Sequence, residues 1–215
     1  NQGGFFMYPI MGVSIVGLTI IAERAYHLFI ELSMNMTHFS RRIYSAVEAG
    51  DVNGAIQECH KYFSHPLAQV LNAALLKANR GDKEIERAIQ GKYLQVAPVV
   101  QKRLGYLSMA ANISTLMGLL GTIIGLIQCF QGVALADAAA KQEVLSKGIS
   151  VAMFTTAAGL VVAIPCLIGF HVLTNRQNRI LDVIQESATE LLNLISASNR
   201  DLRAGPKRVS NNPFN

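Results

Sequence analysis

The sequence predicts an all-α membrane protein: three transmembrane helices with long cytoplasmic helical extensions. Three observations predict it. The stretches from Leu104 to Ala136 and from Gly148 to Asn175 carry no charged residue, and each exceeds the roughly 20 apolar residues that a helix needs to cross a bilayer. A third uncharged stretch opens the chain, running from Asn1 to Ala22 until Glu23-Arg24 ends it. Of 215 residues, 51% are hydrophobic and 15% charged, which is apolar for a water-soluble domain.

The first element, 1–32, reads as an uncleaved span. A secretory leader would open with a basic segment and close on a small-x-small site, and this stretch has neither. The first residue is not Met, which suggests that the sequence begins inside the gene product.

Lys and Arg then set the orientation. They recur from Arg41 and Arg42 to Lys102 and Arg103, and again from Arg176 to Arg208, whereas the turn between the second and third spans holds only Lys141 and Lys147. Basic loops stay on the cytoplasmic side. The N-terminus is therefore expected in the periplasm, 33–103 and the C-terminus in the cytoplasm, and 137–147 as a short periplasmic loop. The formal net charge of +5 is thus mostly topology. No basic motif interleaved with aromatics accompanies it, so no nucleic-acid partner is expected.

The 33–103 segment reads as helices. Phe39, Ile43 and Val47, then Ala55, Ile56 and Cys59, recur near helical period, with Gly50-Asp51 as a break. Pro66 suits the first position of a further helix, in which Leu67, Val70, Leu71, Ala74 and Leu75 form an apolar stripe. Gly81-Asp82 marks a turn, after which Ile85, Ala88, Ile89 and Tyr93 resume the pattern. Nothing alternates with period two, so no strands are expected.

The second and third spans, 104–136 and 148–175, carry small and polar residues at helical spacing. Stepping about 100° per residue from Thr122, Thr115 lies about 20° to one side, with Gly118 about 40° and Gly125 about 60° to the other. In the third span Thr156 shares a face with Ala152, Gly159 and Ala163 by the same arithmetic, and Thr155 stands beside it. Two readings fit. Small residues let membrane helices approach closely, with threonine hydroxyls returned to the preceding turn; alternatively, hydroxyls from two helices line an ion path. Spacing does not choose between them. Pro165 removes a backbone donor inside the third span and is a candidate kink.

The tail continues the third span. Ile180, Ile184, Ala188, Leu191 and Ile195 repeat every three or four residues with no Gly or Pro intervening, which predicts one helix through 176–203. Gly205-Pro206 should stop it, leaving 204–215 as a loose tail.

Several chemistries are absent. No Asp, Glu, Lys or Arg lies within the second or third span, and proton relays commonly use an embedded carboxylate; a conducting role would need an acid from another polypeptide. His171 reads as an interfacial residue. Cys59, Cys129 and Cys166 are not expected to form disulfides. Cys59-His60 with His65 lacks the second ligand pair of a metal site, so no metal is expected. No nucleophile–base arrangement or phosphate loop appears, so neither catalytic residues nor a cofactor are expected.

The second-span run Gly118-Leu119-Leu120-Gly121-Thr122-Ile123-Ile124-Gly125 resembles the glycine-threonine motif of the ExbB, TolQ and MotA ion-channel family. The third-span run from Gly148 to Pro165 is similar over a longer stretch, and Glu23-Arg24 fits the ExbB and TolQ pattern. In size and span order the chain resembles ExbB and TolQ most. The resemblance implies a homopentamer in the bacterial inner membrane, embedded in lipid. It would surround the single spans of a dimeric ExbD-, TolR- or MotB-like partner that carries the ion-binding aspartate. Thr122 and Thr156 fall on the family's two pore-facing threonines, with Thr115 and Thr155 as further candidates. Gly118, Gly121, Gly125, Gly159 and Ala163 are then helix-packing positions, and ion flow would drive work on the cell envelope. One departure stands out: Val151 occupies a position where ExbB and TolQ proteins often have glutamate. Together with Ser150, Ala152 and the Thr155-Thr156 pair, it looks closer to MotA-like chains and leaves proton and sodium both open. The rival reading is a non-conducting membrane scaffold whose glycine stripes serve only oligomer packing.

Overall fold

The structure, a computed structural model, describes residues 6–32 and 35–204. The loose tail expected over 204–215 thus lies, from Gly205 on, outside the described residues, as do the first five residues of the first span. Among the described residues every regular element is a helix: α1 Met7–Tyr26, a π-helical turn His27–Glu31, α2 Met36–Glu48, α3 Val52–Lys61, α4 Pro66–Leu75, α5 Asp82–Gln101, α6 Leu104–Leu135 and α7 Lys141–Ala204. Among the described residues three stretches are long and apolar enough to cross a membrane: Met7–Ile30, one ending at Leu135, and one within α7. α7 alone has 64 residues and begins at Lys141, ahead of the uncharged run that opens at Gly148.

The chain divides into two compact units, the first formed by 1–31 with 101–177 and the second by 32–100 with 178–215. In the first, α1 packs on α6, presenting Ile10, Gly17 and Arg24, which recur every seven residues along one buried stripe. Leu104, Leu107 and Ala111 of α6 meet Ala163, Cys166 and Leu173 of α7 in a common core, with Ile20, Ile21 and Ala25 of α1 packed against it. The outward faces are equally apolar: Leu116, Leu119, Ile123 and Ile127 of α6 are exposed, and Val161 of α7 is 71% exposed. An open surface of that kind suits acyl chains or other spans, not water. Glu23 at the end of α1 pairs with Arg103, whose left-handed backbone (φ 68°) starts α6.

The second unit has an aliphatic core. Phe39, Ile43 and Val47 of α2, Ala55 and Cys59 of α3, and Leu67, Val70, Leu71, Ala74 and Leu75 of α4 are buried, as are Ile85 of α5 and Ile180, Ile184, Ala188, Leu191 and Ile195 of α7. Each short helix has its own start signal. The Asn35 side chain accepts from His38 N–H at 3.3 Å, Asp51 from Gly54 N–H at 2.8 Å, and His65 Nδ1 from Leu67 N–H at 3.2 Å, one residue ahead of Pro66. Gly50 takes φ +80° between α2 and α3, a conformation that glycine adopts without a Cβ penalty. Polar contacts tie α7 into this unit: Tyr44 Oη donates to the Ser187 carbonyl at 3.0 Å, Ser196 Oγ to Asp82 at 2.8 Å and Asn199 Nδ2 to the Ala78 carbonyl at 2.9 Å.

Candidate functional site

The seam between α6 and α7, inside the first unit, holds the hydroxyl groups. Glycine makes their meeting possible. A Cβ placed on Gly118 would lie 3.2 Å from the Thr156 Cα, one on Gly125 would lie 3.0 Å from the Ala152 Cβ, and one on Gly159 would lie 2.6 Å from the Ser114 carbonyl oxygen. Gly121 is closed off by the Thr155 methyl, and Gly148 by the Cys129 sulfur. Backbone therefore runs against backbone over about two turns, the approach that small residues permit in membranes.

At that approach the Thr122 and Thr156 hydroxyls bond directly to each other. The Gly118 carbonyl oxygen lies 3.1 Å from the Thr122 hydroxyl and 3.0 Å from the Thr156 hydroxyl and accepts from whichever of the two does not donate to the other, and the Ala152 carbonyl lies 3.4 Å from the Thr122 hydroxyl. Each hydroxyl is half-buried. The result is a compact set of oxygens, two hydroxyls and two carbonyls, able to hold a proton-carrying water or a small cation but without a group that titrates near neutral pH.

The other expected residues are placed differently. Thr115 is exposed on α6 and returns its hydroxyl to the Ala111 carbonyl at 3.1 Å. Thr155 is buried against Gly121 and donates to the Val151 carbonyl at 2.9 Å. Ala163 is buried in the core with Leu107 and Cys166. Pro165 lies inside α7, which continues through it. Two residues escaped the sequence reading. Ser114 is fully buried on the seam and its hydroxyl has no hydrogen-bond partner among the described residues. Arg24, expected as a boundary marker, is 3% exposed, and two of its guanidinium nitrogens lack partners among the described residues.

Cys59 and His65, in the second unit, have structural surroundings. Burial pushes the Cys59 thiol up to about 12, so it stays protonated and a poor metal ligand, while His65 Nδ1 is engaged in capping α4. Among the described residues no cluster of three or more His, Cys, Asp or Glu has the arrangement of a metal site.

Residues 59–186, from α3 into the second-unit part of α7, match the sequence model of the MotA/TolQ/ExbB proton channel family. The chain belongs to this family. It is 30% identical over 175 residues to the biopolymer transport protein exbB1 of Vibrio cholerae, covering 81% of this chain and 77% of that protein. A putative biopolymer transport protein, ExbB-like 3, of Synechocystis is 27% identical over 190 residues, or 88% of this chain and 90% of the relative. The Tol-Pal system protein TolQ of Haemophilus influenzae is 35% identical over 81 residues, 38% of this chain and 35% of its own length. Members of the MotA/TolQ/ExbB family are channel and transport subunits, and the chain is accordingly a membrane channel subunit and not an enzyme.

Proposed function

We propose that the chain is the multi-span subunit of a proton-motive-force-driven motor in the bacterial inner membrane, coupling ion flow to work on the cell envelope. Five copies surround the single spans of a dimeric ExbD-, TolR- or MotB-like partner, which supplies the aspartate that binds and releases the ion. The observation that carries this reading is the Thr122–Thr156 hydroxyl pair on the Gly118 carbonyl, in two spans without an Asp, Glu, Lys or Arg of their own. Hydroxyls and carbonyls order water or a cation but do not exchange a proton at neutral pH, so the carboxylate has to come from outside the chain. The asymmetry of Lys and Arg supports a periplasmic N-terminus and a cytoplasmic C-terminus. Pro165, which frees the carbonyl one turn earlier in α7, is the candidate kink of that helix.

One rival has an observation of its own. The same hydroxyls bond to backbone carbonyls, and the glycines bring the two helices into contact, which a non-conducting scaffold would also need. Flux in liposomes separates the two. The chain alone should pass negligible protons, and the chain with its single-span partner should conduct. In that complex Thr156→Val, which keeps the volume and removes the hydroxyl, should lower flux several-fold at unchanged composition, and Thr156→Ser should retain most of it. Equal flux for wild type and Thr156→Val would leave the scaffold standing.

A further inference from the structure

Ser114 stands on the same buried face of α6 as Gly118 and Gly121. It is one helical turn from Gly118, about 6 Å along the axis, and its own carbonyl oxygen lies against Gly159. Its residue is 0% exposed, and its hydroxyl has no hydrogen-bond partner among the described residues. The neighbouring positions on this face are Ala110, Ala111 and Gly118, all without a polar group. A buried hydroxyl left unpaired is costly where alanine would pack as well, and such groups in native proteins are commonly satisfied by an internal water that makes about three hydrogen bonds.

We propose that Ser114 is a further positioning residue of the ion path, holding a water molecule about two turns, roughly 12 Å, along α6 from Thr122 of the Thr122–Thr156 pair. The assignment rests on the conducting reading of that pair. The water takes a hydrogen bond from the Ser114 hydroxyl and passes a proton on by receiving one and releasing another, leaving the serine unchanged. Ser114 thereby extends the oxygen set of Thr122, Thr156 and Gly118 along α6, in a stretch where the other buried side chains cannot orient water.

The test uses the chain assembled with its single-span partner in liposomes, with Thr156→Val measured beside it. Ser114→Ala should assemble as the wild type does, since alanine fits within the space that serine fills, yet conduct roughly 3- to 10-fold less, the size of one lost hydrogen bond. Ser114→Cys, in a background with Cys59, Cys129 and Cys166 replaced, should become sensitive to block by silver ions, which need a wet route to the thiol; the cysteine-free parent should not. Wild-type flux in Ser114→Ala, failure of Ser114→Ala to assemble, or an assembled Ser114→Cys complex indifferent to silver would each overturn the assignment. If Thr156→Val is impaired and Ser114→Ala is not, Ser114 alone is wrong. If Thr156→Val conducts normally, the threonine pair is wrong, and silver block at Ser114→Cys still reports on Ser114 independently.

Discussion

The α6–α7 seam of the first unit and the core of the second unit are both helix-on-helix contacts, yet they close by opposite means. The seam is built from the smallest residues, Gly118, Gly121, Gly125 and Gly159, with hydroxyls bonded across it. Its large side chains, Leu116, Leu119 and Ile123 among them, point away. The second unit does the reverse: Ile43, Leu67, Leu71, Leu75, Ile184 and Leu191 are turned inward and fully buried. The solvent explains the difference. Among acyl chains a leucine gains little by leaving lipid for another helix, so close approach and hydrogen bonding have to hold spans together. In water the removal of apolar surface is the main driving force. Thus the residues that stabilise one region are the ones the other turns outward.

Removing carbon should therefore break the second unit. Leu71, 0% exposed in α4, is the probe with the largest expected effect. Leu71→Ala should cost about 2–5 kcal/mol, the lost transfer free energy plus the cavity left behind. The change should appear as a lowered thermal or urea midpoint of the purified protein. A midpoint within error of the wild type would mean that this core does not hold the unit.

Adding carbon should break the seam. The Cβ of Gly159→Ala would sit 2.6 Å from the Ser114 carbonyl oxygen, and Gly118 Cα lies 3.1 Å from the same point. Both obstacles are backbone and cannot rotate away, so the helices have to separate, at about 1–3 kcal/mol. Gly105 is the control: it lies in α6, the helix that Gly159 packs against, with nothing within 4 Å of an added Cβ, and Gly105→Ala should be neutral or stabilising through helix propensity alone. Native mass spectrometry and thermal unfolding in detergent should show loss of assembly and stability for Gly159→Ala and neither for Gly105→Ala. Similar behaviour of the two would remove the steric account of the seam.

Where one face of a helix has to be apolar, periodicity was enough to read it. Ile180, Ile184, Ala188, Leu191 and Ile195 are legible as a stripe, and all are buried. The candidate site was legible in part: wheel arithmetic puts Thr122 and Thr156 each on a face of small residues, and the structure brings those faces together. Thr115 departs because the buried side of α6 centres on Ser114, Gly118 and Gly121, which leaves a residue about 100° beyond Ser114 facing out. Ser114 itself leaves no periodic signal, since one serine in an apolar run reads the same whether it bonds to its own helix or stands unpaired. Charge misleads about helix ends. Lys141, Gln142 and Glu143 are good helix formers, so α7 starts ahead of the uncharged run. Arg24, at the edge of such a run, is buried by the packing around it.

The smallest expected effect tests whether polar contacts in the second unit matter beside its aliphatic core. His65 caps α4 through Nδ1, which accepts from Leu67 N–H at 3.2 Å. Burial pushes its pKa below the ordinary value of 6.5, with the Leu32 backbone opposing only in part. The folded chain therefore holds a neutral imidazole, and the unfolded chain binds the extra proton first. Stability should be level above about pH 7 and fall as pH drops below about 6.5, until the folded state is protonated in turn. Protonation also removes the acceptor lone pair and with it a cap worth about 1 kcal/mol. Glu58, held below the usual carboxylate range by Lys61 and then Arg42, loses its contribution only in more acid solution, so the two windows separate. His65→Asn keeps a capping side chain and has no proton to bind. The wild-type unfolding midpoint should decline between about pH 7 and pH 5 relative to that of His65→Asn; parallel curves would show that the cap makes no pH-dependent contribution to the unit.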